Sequence, residues 1–248
     1  MKRTLLVLLV LALPATAAEF ERLMLPVAPS VVYCGYHSKF DTRLVVFNGN
    51  EQTVDRFCSD AMCGGLASNT GTVVVGQHVP IPLPSFMYVP KHEAGGINMS
   101  LVVESSETTQ PEERSYTELP VVRESDFRPG KVQIVGVRMD DGFRKTLRIY
   151  GLDGLNYAQV RVRVYDIASS DPKWEHDYTL YPQAGVNADG LAIAPSFNME
   201  CDLTGYVAAS YERPVRVELE PLTPGAKIWG FVSVTNNVTQ HFYTVVPR

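Results

Sequence analysis

The sequence predicts an all-β protein of two tandem antiparallel sandwiches, and three observations predict it: alternating apolar and polar runs, dense turn residues, and one set of segments that occurs twice. Val160-Arg161-Val162-Arg163-Val164-Tyr165 and Val215-Arg216-Val217-Glu218-Leu219-Glu220 alternate strictly, so each buries one face of a strand and wets the other. No stretch sustains a helical period. Turn residues at Asn48-Gly49-Asn50, Asp140-Asp141-Gly142, Asp153-Gly154, Asp189-Gly190 and Pro224-Gly225, with 17 prolines and 18 glycines in all, cut the chain into short strands. Short strands at that spacing pack as antiparallel sandwiches; a parallel sheet needs crossover helices.

The repeat rests on three matched pairs in one order. Phe40 to Phe47 answers Phe143 to Tyr150, with phenylalanine, leucine and closing aromatic aligned; Pro84-Ser85-Phe86-Met87 answers Pro195-Ser196-Phe197-Asn198; and Ser100-Leu101-Val102 through Pro120 answers Gly230-Phe231-Val232 through Pro247. The offset grows from 103 to 111 to 130, as it does when insertions gather in loops while strands keep their length. Two copies indicate a duplicated domain and not a solenoid.

Taken in order, the chain opens with Lys2-Arg3, an apolar run from Leu5 to Leu13, and Pro14 before Ala15-Thr16-Ala17-Ala18. These are the three regions of a secretory signal peptide, with cleavage expected after Ala17 or one residue later. The apolar run is shorter than the ~20 residues a bilayer span needs, so no membrane span is expected after cleavage. The first repeat is placed at residues 18–128 and the second at 129–248. Further strands are expected at Arg43–Phe47, Thr72–Val75, Ile97–Val103, Thr117–Arg123, Lys131–Arg138, Thr146–Tyr150, Glu175–Tyr181, Ile228–Thr235 and His241–Val246, and Ser105 to Ser115 reads as a hairpin loop.

Loss of the leader removes two of 22 basic side chains and leaves 20 against 27 acidic ones, a net charge of −7. Nucleic acid is therefore excluded as a partner, because its binding rests on clustered Lys and Arg. Cys34, Cys58, Cys63 and Cys201, in an exported chain, imply two disulfides. Cys58 with Cys63 is the favoured local pair, leaving Cys34 to Cys201, and every alternative connectivity still ties the second repeat to the first. A metal site on Cys58, Cys63 and His78 is disfavoured by the spacing. No metal or cofactor is expected.

The strand that ends in an aromatic, the later Val232-Ser233-Val234-Thr235-Asn236-Asn237-Val238-Thr239-Gln240 turn, and the Leu119 to Phe127 and Arg144 to Asp166 blocks resemble uncharacterised secreted bacterial proteins with tandem immunoglobulin-like β-sandwich repeats. That resemblance implies an immunoglobulin-like sandwich and export. It carries no catalytic or ligand residue.

Catalytic signatures are absent from the sequence: no G-x-S-x-G, no H-E-x-x-H, no phosphate-binding glycine loop. A non-enzymatic structural, adhesive or assembly protein, secreted or periplasmic, is the expectation. The alternative is a glycan-binding module, with an extracellular glycan or protein as partner. Arg148, Arg161 and Arg163 are expected to form an arginine stripe that docks acidic groups, and Trp174 and Trp229 are the candidate stacking platforms. A glycan hydrolase using Glu175 and Asp177 is the third reading, since two acids two residues apart share a strand face.

Overall fold

The computed structural model describes residues 20–26, 38–58, 63–66, 68, 70–75, 85–107, 110–183, 185–187, 190–205 and 214–247. The expected leader and Cys34 lie outside them, as does His78. Among the described residues every regular element is a strand or a three-residue 3-10 turn, and all strand pairs are antiparallel. No helix among them is long and apolar enough to cross a membrane. The chain is all-β.

The first half supplies β1 (Phe20–Leu25), β2 (Ser38–Asn48), β3 (Val54–Cys58), β4 (Cys63–Leu66), β5 (Thr70–Val75), β6 (Ser85–Pro90), β7 (Ile97–Glu107), β8 (Gln110–Leu119) and β9 (Val122–Arg123). The second half supplies β10 (Val132–Val137), β11 (Phe143–Gly151), β12 (Ala158–Asp166), β13 (Pro172–Leu180), β14 (Ser196–Glu200), β15 (Val215–Pro221), β16 (Ile228–Asn236) and β17 (Phe242–Val245). They form four sheets: A, ordered β4-β3-β6-β1-β9; B, β5-β2-β7-β8; C, β14-β11-β16-β17; and D, β10-β15-β12-β13.

Counted from its own first strand, each half has the same plan. Its first, sixth, third and fourth strands make one sheet, and its fifth, second, seventh and eighth make the other; β9 is the sole addition. The third strand lies beside the sixth and the second beside the fifth, while the first strand joins the sixth and the seventh joins the second. Strand order depends on long-range pairing, so its repetition is stronger evidence of duplication than matched sequence.

The outer sequence matches fall on equivalent strands, β2 with β11, β7 with β16 and β8 with β17. The middle match does not. Ser85 and Phe86 lie on β6 in sheet A, whereas Ser196 and Phe197 lie on β14 in sheet C, whose counterpart is β5. The β7 match also slips by one residue: Leu44 faces Leu101 and Leu147 faces Val232, so Leu101 corresponds to Val232 and not to Phe231. A one-residue slip sends every side chain to the opposite face, which is why the pairing decides. The expected loop from Ser105 to Ser115 is largely strand, with β7 running to Glu107 and β8 starting at Gln110.

Alternation sets the core. Val160, Val162 and Val164 of β12 and Val215, Val217 and Leu219 of β15 are buried against Leu147, Ile149, Val232 and Val234 of sheet C. Sheet C is buried on its other face too. Tyr150, Trp229 and Phe231 belong to one buried cluster with Met24, Phe86 and Tyr88 of sheet A. Each such side chain contributes ~1.5–3 kcal/mol on leaving water, so this seam is held as a core is held. Polar groups close it: Phe86 N donates to Ile193 O at 2.9 Å, Thr117 Oγ1 to Phe242 O at 2.7 Å, Tyr150 Oη to Pro26 O, and Tyr88 Oη to Ala192 O. Arg22 spans it, its guanidinium paired to Glu124 at 3.1 Å and donating to Leu152 O at 3.1 Å.

Candidate functional site

On β12, Arg161 and Arg163 point to the outer face of sheet D, opposite the valines that fill the core. Arg161 pairs with Asp177 at 2.7 Å, and Arg163 pairs with Glu175, with Glu220 at 2.6 Å and with Glu218 at 3.2 Å. Lys131 reaches Glu218 at 3.0 Å, and Arg216 reaches it at 3.4 Å while stacking 4.0 Å over the Tyr165 ring. Four cations thus interleave with four carboxylates across neighbouring strands, the arrangement by which opposite charges support a sheet.

The electrostatics follow. Hydrogen bonding to Asp177 raises the Arg161 pKa, and hydrogen bonds to Glu175 and Glu220 raise that of Arg163. The Arg161 hydrogen bond holds Asp177 below the usual carboxylate range. Burial pushes Glu218 up, but the hydrogen bond and charge of Lys131, with Arg163 and Gln133, outweigh it and leave the carboxyl depressed. The arginines of this face are therefore engaged by carboxylates and do not form a bare cationic stripe.

Arg148 is elsewhere. It sits on β11 in sheet C, donates to Ser233 Oγ at 2.7 Å and lies 5.5 Å from the Phe231 ring centre, against the seam. The expected stripe of Arg148, Arg161 and Arg163 is not assembled, because Arg148 lies on sheet C while Arg161 and Arg163 lie on sheet D. Glu175 and Asp177 do share one face of β13, as their spacing requires, but that face is an open sheet surface where both meet arginine.

The tryptophans are also separated. Trp174 is half-buried on β13 and stacks on exposed His176 at 5.9 Å, and His176 in turn meets Tyr178, whose hydroxyl donates to Glu200 at 2.7 Å. Trp229 is buried in the seam, with Tyr150 at 6.0 Å and Phe231 at 5.6 Å. Cys58 and Cys63 stand directly opposite in the β3–β4 hairpin, and Cys201 follows β14. Lys145, fully buried, closes the 140–143 turn by donating to Phe143 O at 2.7 Å and to Asp140 O. Burial lowers its pKa, opposed by Asp202, Asp140 and Asp141.

A site unmarked in the sequence lies where the halves meet. The loop 153–157 and the turn 223–227 enclose, with Arg22, a cleft of about 480 Å³. Asp153 shapes the loop by accepting from Leu155 N at 3.0 Å and from Asn156 Nδ2 at 2.8 Å. Gly154 fits because a Cβ there would overlap the Ala194 carbonyl. Tyr157 lines the cleft, and its ring meets that of Tyr181 edge to face at 5.7 Å. A lone tyrosine in a Gly-rich loop has no periodicity to single it out, so only the fold brings the pair together.

No family model, curated protein or solved structure matches this chain.

Proposed function

We propose that this chain is an exported, non-enzymatic structural, adhesive or assembly protein made of two immunoglobulin-like sandwiches, residues 18–128 and 129–248, of the kind it resembles among secreted bacterial proteins. The observation that carries the reading is the repeated strand order of the two halves joined through a buried seam. Such a tandem is a stiff spacer, because an apolar interface of core-like packing leaves little freedom between domains. The leader-like start supports export, and Cys58 facing Cys63 across a hairpin supports an oxidising compartment, since opposed cross-strand residues lie within disulfide reach. The carboxylate-matched arginines of sheet D favour a solvated outer face over a docking site for acidic polymers.

A second reading, a glycan-binding module, is favoured by one observation: the exposed Tyr157–Tyr181 pair beside the seam cleft.

The test is to express the full chain with its own first residues in a bacterium, fractionate the cells, and apply the purified mature protein to cell envelopes and to a glycan panel. Export with a new amino terminus at Ala18, envelope binding, and no release of reducing sugar are expected. Cytoplasmic retention with Met1 intact, or catalytic turnover of any glycan, overturns the proposal.

A further inference from the structure

We infer that the seam cleft is a binding site for a neutral pyranose, with Tyr157 as its aromatic wall, Tyr181 packed against that ring, and Ser196 in its floor. The cleft's volume, about 480 Å³, lies in the range of small-ligand sites. Ser196 lines it and is fully buried, and its Oγ has no hydrogen-bond partner among the described residues. A buried hydroxyl left unpaired is costly, so a ligand hydroxyl that reaches Ser196 recovers energy the unliganded cleft lacks. A Cβ on Gly151 would overlap Ser196 Oγ, so glycine at 151 leaves the hydroxyl its place.

The rim supplies the second, independent feature. Tyr157 is 66% and Tyr181 51% exposed, and their rings hold each other at 5.7 Å. Two large rings kept in water beside a concave site are the amphipathic surface that covers the apolar face of a sugar while their hydroxyls stay wet.

The lining decides among ligands. It offers one carboxylate, Asp153, and one ammonium without a carboxylate partner among the described residues, Lys227; the Arg22 charge is already met by Glu124. One acid and one base cancel, so a phosphate gains little. A single carboxylate is too few for a hard cation. Asn156 and Thr223 add an amide and a hydroxyl, and such a set matches a neutral polyol with one flat face.

This inference rests on the adhesive reading for where a sugar is met, and its test separates the two. Purified, oxidised mature protein is titrated with methyl glucoside, methyl galactoside, methyl mannoside and methyl glucuronide, binding being read by ligand-observed saturation-transfer NMR. Saturable binding of at least one neutral glycoside is expected, weakened about tenfold by Tyr157→Ala, weakened also by Ser196→Ala, and unchanged by Arg161→Ala with Arg163→Ala. No saturable binding, binding indifferent to Tyr157→Ala, or a preference for the glucuronide overturns it. Tyr157 is exposed, so its variant folds. Envelope binding that survives Tyr157→Ala while sugar binding is lost dissociates adhesion from the cleft and overturns the assignment of the sugar as the adhesive ligand. Sugar binding without envelope binding supports the cleft and overturns adhesion.

Discussion

Phe47 and Tyr150 occupy the same position in the two halves, each one residue past an inward-facing partner in the central strand of its sheet, Val46 and Ile149; yet Phe47 is 41% exposed and Tyr150 is wholly buried. The difference is made by what lies outside the sheet. Beyond Tyr150 stands the first half, whose Pro26 carbonyl accepts the Tyr150 hydroxyl. A position that stays half wet in one copy has become a seam residue in the other.

Tyr150→Ala is therefore expected to cost ~3–5 kcal/mol in urea unfolding, as aromatic truncations in cores do, and Tyr150→Phe ~1–2 kcal/mol for the lost hydrogen bond. Phe47→Ser should stay within ~0.5–1 kcal/mol of the parent. Equal losses at the two positions would contradict a buried seam.

The seam should also loosen in alkali. Burial raises the Tyr88 hydroxyl to about 12, and burial raises Tyr150 as well. Folded pKa values above the unfolded value mean that the native state holds protons more tightly, so this stability is complete below pH 10, the ordinary tyrosine value, and is lost as pH rises toward 12. Tyrosinate absorbance and near-ultraviolet dichroism, followed together, should change late and in concert; early, independent ionisation of every tyrosine would refute it.

Acid acts on the other electrostatic clusters. Glu218 on sheet D is depressed despite its burial, by Lys131 and Arg163, and Glu124 at the seam is depressed despite its burial, by Arg22. Depressed carboxylates add stability that is present above their ordinary 4.5 and disappears as pH falls below it. Glu218→Gln, which leaves Lys131, Arg163 and Arg216 facing a neutral group, is expected to cost ~1–3 kcal/mol at pH 7 and to flatten the acid limb of the stability profile. An unaltered limb would show that Glu218 is not the hub.

Gly230 fits in the middle of β16 for steric reasons. A Cβ there would lie 2.7 Å from the Arg148 carbonyl oxygen and 2.7 Å from Leu219 Cδ1. The carbonyl cannot give way without disturbing the β11–β16 ladder, so Gly230→Ala is expected to cost ~1–3 kcal/mol, against a gain for alanine had the strand been free of contact. Thermal unfolding of the variant checks the sign.

Non-reducing peptide mapping of the oxidised protein should yield Cys58 joined to Cys63 and Cys34 joined to Cys201. The opposed Cα positions of the hairpin pair underlie the expectation. A peptide linking Cys58 or Cys63 to Cys201 would refute that connectivity while keeping a tie between the halves.

How far the sequence carried depends on the range of the interaction involved. The alternation of Val160 to Tyr165 and of Val215 to Glu220 is local, and the strands appear there with the predicted faces. The near-continuous apolar run Ile228-Trp229-Gly230-Phe231-Val232 already signals a strand buried on both sides. Sheet membership is not local. Arg148 alternates as Arg161 does, yet long-range pairing puts it on sheet C, and the resemblance of Ser85-Phe86 to Ser196-Phe197 says nothing of the sheet each strand enters. Tyr157 and Tyr181 were illegible for the same reason: 24 positions apart in loop and strand end, they meet only once β12 and β13 are paired.

A seam between unlike faces has no twofold axis to close it, and geometry of that kind lengthens into fibres whenever the last face is as sticky as the first. Sheet D, the counterpart of sheet A, presents instead a surface on which Arg161, Arg163, Lys131 and Arg216 are matched by their own carboxylates. Self-neutralised, and with Val135 its one half-exposed apolar side chain among those of β10, it offers an incoming molecule little grease and no net charge, and on that side the tandem is a finished end.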